Sequence, residues 1–321
     1  MTNRYAIVFD VGGTSIKAAV VRDNGETVAG TVDTFPARSG EDRETLLDHF
    51  YGLIAGRAAL LEQAEEGRPY EIAGIGYAFP SPFDFENGIC YIRGQDKYDA
   101  LYGTNIREAM EGRIAADPAV AARMGAGAPI VFDNDAALFA AGQLHFGHAR
   151  RYRRSLCITI GTGTGSSFID EGGIVKGREL WADPFRDSIA DDYISKRGVQ
   201  RIAAQCGFGG DADVKAIADA ARAGDERAAA VFAAFGRLFG ELLVPYVREF
   251  RPEAVIVGGN IAKSADLFIP DARAELSATG FGEADVPAFE TVEDTSGSAF
   301  AGALALVKAR LRKTAAERFG V

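Results

Sequence analysis

Apolar and polar positions follow two rhythms along this chain. Short runs rich in Val, Ile and Ala, "YAIVFD" (5–10), "IKAAVV" (16–21) and "ETVAGTV" (26–32), are separated by Gly or Asn-Gly and predict a three-stranded meander. The period then changes. Leu46, Leu47, Phe50, Leu53, Ile54 and Leu61 recur at three- and four-residue steps, and this single apolar stripe predicts a helix within residues 41–67. "YEIAGIGYAFPSPFD" reads as a buried strand entering a Pro-punctuated loop, and "APIVFDNDAALFAAGQLHFG" as a strand that turns into a helix after Asp133.

The pattern then recurs in outline. "SLCITIGTGTGSSFIDEGGIVKG" is again an apolar strand, a Gly/Thr loop and a second strand with a turn at Gly172 and Gly173, which suggests an internal duplication. Helices are predicted from about Asp191 to Gly207, Asp213 to Ala223 and Asp225 to Glu249, then strand, double glycine and helix in "PEAVIVGGNIAKSADLF". The end, "TSGSAFAGALALVKARLRKTAAERFG", reads as a Ser/Thr-capped helix. Strands alternating with helices in a repeated order predict an α/β protein of two similar lobes. The smaller spans residues 1–132, with 302–321 packing back on it, and the larger spans 133–301.

Composition narrows the function. The 321 residues, 47% hydrophobic and 25% charged, suffice for sizeable cores. A net charge of −10 argues against a nucleic-acid surface, and the one basic knot, "HARRYRR" (148–154), reads as a solvated loop. Cys90, Cys157 and Cys206 lie far apart with no C-x-x-C or His-rich spacing, so neither a disulfide framework nor a zinc site is indicated. The amino terminus lacks a signal-peptide pattern and no apolar run reaches the roughly 20 residues of a membrane span, so the expected location is the cytoplasm.

The chemistry is carried by three glycine loops. Asp10 stands at the end of the first strand, before Gly12, Gly13 and Thr14, with Lys17 beyond; a hairpin turn, its glycines supplying positive φ, and a phosphate loop are both open readings. "GTGTGSS" fits neither the G-x-G-x-x-G nor the Walker pattern, and "VIVGGN" could end a strand. All three nonetheless suit an anion, because glycines let backbone N–H groups approach it and Thr and Ser add donors, while Asp10 could hold a cation's water shell.

In order and spacing, Asp10-x-Gly-Gly-Thr, "FDNDAA", "GTGTGSSFIDEGGIVKG" and "VIVGGNIAKS" resemble the ROK family of sugar kinases and repressors, within the actin-like ATPase and hexokinase superfamily. "GIGYAFPSPFDFENGI" is similar to a further stretch of the family, although Phe79-Pro80-Ser81-Pro82 lacks the glycine between prolines. The likeness covers nearly the whole chain. It implies two ribonuclease H-like lobes with a nucleotide cleft between them, ATP and Mg²⁺ as cofactors, and a homodimer. It also implies phosphorylation of a hydroxyl on a sugar or sugar-like polyol. Asp10, Gly12, Gly13, Thr14, Lys17, Thr162, Gly163, Thr164, Gly258, Gly259 and Asn260 are then the nucleotide residues, with Asp10 meeting the metal through water. Asp135 is the base and Asn134 binds a neighbouring hydroxyl. By position alone, Asp133, Asn134 and Asp135 are also natural helix caps.

Two departures bear on function. Repressors of the family carry a helix-turn-helix ahead of the first loop, where this sequence has nine residues before Asp10, so a kinase is favoured over a DNA-binding regulator. The alternative is a catalytically silent sugar-binding regulator of the same fold. The family's Glu-x-Gly-His and its Cys-rich zinc motif are missing: His49, His145 and His148 all precede the second loop. Glu179 takes the place of the family glutamate, and Asp183, Arg186, Asp187 and Trp181, with Arg93, Gln95, Asp96 and Lys97, are candidates for the acceptor. Of these, Glu179 and Asp187 are expected to bind the substrate, and the added charge predicts an acceptor other than plain glucose. A surface loop leading to a helix capped by Asp191 is the competing reading of 178–192.

Overall fold

In the computed structural model, which describes residues 2–175 and 177–319, the first strand-forming runs pair as a meander whose third member is displaced. Strand β1 (Asn3–Val11) is antiparallel to β2 (Ser15–Arg22), and β2 to β3 (Asp33–Pro36), while within residues 26–32 Thr27 forms an isolated antiparallel bridge to Val21 of β2. A turn intervenes. The Thr31 hydroxyl donates to the Val28 carbonyl at 2.7 Å and accepts from the Val20 N–H at 3.1 Å, taking a partner that a strand would have supplied.

Helix α1 (Arg43–Glu65) starts where Asp42 accepts from the Glu44 and Thr45 N–H groups, and every residue of its predicted stripe is buried. Strand β4 (Tyr70–Ala78) is parallel to β1; a small hairpin, β5 (Phe83–Asp84) and β6 (Ile89–Cys90), and helices α2 (Ile106–Ala115) and α3 (Pro118–Ala121) lead to β7 (Ile130–Asp133), parallel to β4. Helix α4 (Asp135–His145) follows at once. The sheet order is β3-β2-β1-β4-β7.

Tyr77 lies at the centre of this core, stacked on Phe9 and Phe132 with ring centroids 4.7 and 5.0 Å apart. Among the described residues its hydroxyl has no hydrogen-bond partner, and burial alone raises its pKa. A buried hydroxyl without a partner costs more than it returns, so Tyr77→Phe is expected to stabilise the protein by about 1 kcal/mol in denaturant titration.

The second half repeats the topology. Strands β8 (Arg154–Ile160), β9 (Thr164–Asp170) and β10 (Gly173–Val175) form a meander, and a short hairpin, β11 (Pro184–Phe185) and β12 (Ser188–Ile189), leads to the helices. The helix expected over 191–207 is two, α5 (Ala190–Tyr193) and α6 (Lys196–Gln205). The break is where the chain is tied to the β8–β9 loop: the Lys196 N–H donates to the Gly161 carbonyl at 2.8 Å, and the Thr164 hydroxyl donates to the Ile194 carbonyl. Helices α7 (Val214–Arg222) and α8 (Glu226–Phe250), strand β13 (Ala254–Gly258) and helix α9 (Ala265–Ala278) lie as the pattern predicts. An edge strand that the pattern does not mark, β14 (Ala288–Thr291), completes the order β10-β9-β8-β13-β14. Each sheet is thus a three-stranded antiparallel meander extended by two parallel strands. By length and composition α8 could cross a membrane; its buried Phe232, Phe235, Phe239 and Leu243 belong to the core of this half, beside Phe268 of α9.

The last helix, α10 (Thr295–Phe319), returns to the first half: Phe300, Ala303 and Leu304 pack with Ala6 and Val8 of β1 and Leu138 of α4. The chain therefore divides into two compact units, Met1–Phe146 with Ser296–Val321, and Gly147–Thr295. Helix α4 belongs to the first unit, whereas a boundary at residue 132 assigns it to the second. Its backbone touches α10: a Cβ built on Gly142 would lie 1.9 Å from the Ser298 carbonyl oxygen.

Candidate active site

In the first unit the parallel strands end in line. Asp10 pairs with Ala78 of β4, and Ala78 with Asp133 of β7, at the carboxyl end of the sheet, where ligands bind in α/β folds. Across the hairpin Asp10 faces Lys17, whose ammonium donates to the Ser296 hydroxyl at 2.7 Å. The turn between them closes with the Gly12 N–H on the Ser15 carbonyl at 2.9 Å. Neither Gly12 nor Gly13 has a positive φ, so these glycines serve space rather than turn geometry. A Cβ on Gly12 would sit 3.0 Å from the Ser15 oxygen, and one on Gly13 would sit 3.1 Å from Lys97 Cδ. Thr14 is exposed at the tip.

Asn134 is the cap of α4, its Oδ1 accepting from the Ala137 N–H at 2.7 Å, and this settles which of the three candidate residues caps. Asp135 is then the first helical residue, exposed, with Oδ1 accepting from the Ala136 N–H at 2.9 Å. Its negative charge reaches Asp10. The Asp10 carboxyl is raised above the ordinary range by burial first and by Asp135 second, with Lys17 opposing both.

A carboxyl whose folded pKa lies above its unfolded value burdens the folded state while ionised. The burden is full above the folded pKa, shrinks as pH falls through it, and is gone below the unfolded value. Asp10→Asn is therefore expected to raise the melting temperature of the ligand-free protein at neutral pH. The advantage should vanish as pH drops below about 4, read by melting both proteins across pH.

In the second unit the β8–β9 hairpin carries its own glycine turn, with the Gly161 N–H on the Gly163 carbonyl at 2.8 Å and Thr162 and Gly163 exposed. Thr164 is placed differently from its neighbours: it is buried, with its hydroxyl on Ile194. Its N–H is held at 2.5 Å by Asp191, which also pairs with Arg197. Asp191 is therefore no helix cap; its carboxylate stands at the hairpin, a position that no local pattern signals. Gly258 is buried at the end of β13. Gly259, at φ 95°, brings its backbone against Ile160, the last residue of β8, where a Cβ would lie 2.3 Å from the carbonyl oxygen. The Gly259 N–H donates to the Thr295 hydroxyl at 2.6 Å, and Asn260 is exposed.

The charges of residues 178–193 each have a partner. Glu179 accepts from Trp181 Nε1 at 2.6 Å, Asp183 accepts from the Tyr246 hydroxyl, Asp187 from the Tyr193 hydroxyl, and Arg186 pairs with Glu241. Each of these bonds uses one acceptor site of its carboxylate, and Glu179 and Asp187 keep others. In the first unit Arg93 lies over the Tyr102 ring at 5.4 Å, while Gln95 and Asp96 are exposed. Among the described residues no group of three His, Cys, Asp or Glu side chains could hold a metal ion.

Two units of one topology, each with a glycine hairpin at the head of its sheet, define a protein of the actin-like ATPase fold. The chain belongs to the ROK family, which it matches over residues 6–182 and 187–310. It is 23% identical to a glucokinase from Thermotoga maritima over 94% of this chain and 96% of that protein. Among solved structures it is similar to a ROK family glucokinase from Streptomyces griseus in complex with glucose and AMPPNP: TM-score 0.68, 24% identity, covering 95% of this chain and 99% of that one. It is also similar to a ROK family transcriptional regulator, a homologue of the E. coli MLC protein, with TM-score 0.74 and 16% identity, over 95% of this chain and 78% of that one.

Proposed function

We propose that the protein is an ATP-dependent sugar kinase. The observation that carries the reading is the pair formed by Asp10 and Asp135: one carboxylate at the end of β1 behind a glycine hairpin, the other opening α4 near enough to shift the first. The T. maritima relative is named a glucokinase, and the S. griseus structure holds glucose and an ATP analogue, which supports a sugar as acceptor and ATP as donor.

In this reading the acceptor hydroxyl oxygen forms a bond to the γ-phosphorus as the bond to the ADP oxygen breaks, and the hydroxyl proton passes to the Asp135 carboxylate. Asn134 donates to or accepts from a neighbouring hydroxyl and, by capping α4, fixes the direction in which Asp135 leaves the helix. Backbone N–H groups of the 12–14 turn and of the Thr162–Gly163 turn take phosphate oxygens, with Lys17 adding charge; Thr164 supports its turn from beneath. Gly258, Gly259 and Asn260 take the adenosine side. Magnesium, bound with the nucleotide, offsets phosphate charge, and Asp10 is the residue that would hold its water shell.

The paired charges of residues 178–193 leave the identity of the sugar to experiment. ADP release measured with ATP, Mg²⁺ and a panel of hexoses, amino sugars, sugar acids and cyclitols is expected to rise with one class of acceptor. A protein that binds a sugar from the panel yet releases no ADP with any member would be the silent regulator instead.

A further inference from the structure

One cation of the first unit is used by nothing described so far. Lys97 is half-buried, and among the described residues its ammonium has no ion pair and no hydrogen-bond partner. Its stem lies on the first glycine turn: a Cβ on Gly13 would come within 3.1 Å of Lys97 Cδ and 3.8 Å of its Cβ. The missing side chain at Gly13 is what lets the stem lie there, and the ammonium is only two bonds beyond Cδ.

The placement is held by the backbone on both sides. Asp96 and Tyr98 have φ of 55° and 58°, the left-handed region that non-glycine residues seldom occupy. Tyr98 is fully buried; its hydroxyl donates to the Gly12 carbonyl at 2.8 Å and its N–H to the Ser39 carbonyl at 2.7 Å. Ser39 in turn donates through its hydroxyl to the Gly13 carbonyl at 2.7 Å. These bonds fasten the segment around Lys97 to the carbonyls of the glycine turn. Lys17, the lysine of the hairpin itself, already donates to Ser296. With its stem laid on the turn and no protein partner for its charge, the Lys97 ammonium is open to an anion held there.

We propose that Lys97 is a catalytic residue that meets the terminal phosphoryl group of ATP over the first glycine turn. This rests on reading that turn as a phosphate loop. Lys97 donates hydrogen bonds to the phosphoryl oxygens, where negative charge is spread as the group transfers. It thereby moves from the acceptor side, where its neighbours in "RGQDKYD" suggest it, to the donor.

The test compares the wild type with Lys97→Met and Lys97→Arg, using calorimetry with the Mg²⁺ forms of AMPPNP and ADP, and steady-state kinetics with the best sugar of the panel. Lys97→Met should weaken AMPPNP about tenfold and leave ADP within about twofold, since only the former carries a γ-phosphoryl group. Its kcat should fall by about 10²-fold with little change in the sugar KM, and Lys97→Arg should recover part of both losses. Equal weakening of both nucleotides, as from a merely disturbed loop, or a Met variant that behaves as the wild type, would overturn the assignment to Lys97 alone. A wild type that binds neither nucleotide would overturn the phosphate-loop reading and the Lys97 proposal with it.

Discussion

Asp135→Asn is expected to lower kcat by about 10²-fold or more while nucleotide affinity changes little. The substitution preserves size and keeps an oxygen that can accept from the Ala136 N–H, so the start of α4 stays formed. What it removes is the carboxylate that takes the acceptor's proton. At the first position of a helix a negative charge is also favoured by the helix dipole, an interaction the substitution gives up. With the charge gone, Asp10 loses one of the two causes that raise its carboxyl, so its titration should move toward the ordinary range. Kinetics with calorimetry on one preparation reads both effects; unchanged turnover would move the base elsewhere, with Asp133 next to be tested.

The largest expected effect on stability comes from the seam between α4 and α10. A Cβ on Gly302 would lie 1.8 Å from the Leu138 carbonyl oxygen and 2.9 Å from the Gly142 nitrogen, contacts with backbone that no rotamer change relieves. Nearby, Gln143 Nε2 donates to the Ser298 hydroxyl at 2.8 Å across the same seam. Gly302→Ala must push the two helices apart, at a cost of about 3 kcal/mol. Because α4 carries Asp135, kcat should fall as well. Gly52→Ala in α1 is the control: a Cβ there meets nothing within 4 Å, and alanine is the better helix former, so stability should hold or rise. Chemical denaturation of the two variants beside the wild type measures the contrast.

What could be read in the sequence was mostly local. The α1 stripe, both meanders and the strand-to-helix step at Asp133 follow from apolar period and turn residues, and two of the three glycine loops lie at hairpins whose registers place Asp10 opposite Lys17 and Ile160 opposite Thr164. What could not be read depends on partners far along the chain. Asp183 finds Tyr246, and Gly142 finds Ser298, so neither the pairing of the 178–193 charges nor the allegiance of α4 is encoded nearby. The third strand starts after a turn in which the Thr31 hydroxyl bonds Val28 and Val20, and β14 is a partly exposed edge strand with too weak an alternation to announce itself. Asp191 was hidden by its own plausibility as a helix cap, and Lys97 by the charged company it keeps in sequence.

The measurement that bears most directly on the central claim follows the fate of the γ-phosphoryl group. ATP labelled at that position is incubated with Mg²⁺, the protein and the sugar that most stimulates ADP release, and the products are separated. The account predicts label on a sugar hydroxyl in the wild type, formed about 10²-fold or more slowly with Asp135→Asn and absent without Mg²⁺. Label recovered only as inorganic phosphate, or retained in ATP while the sugar is bound, would contradict it.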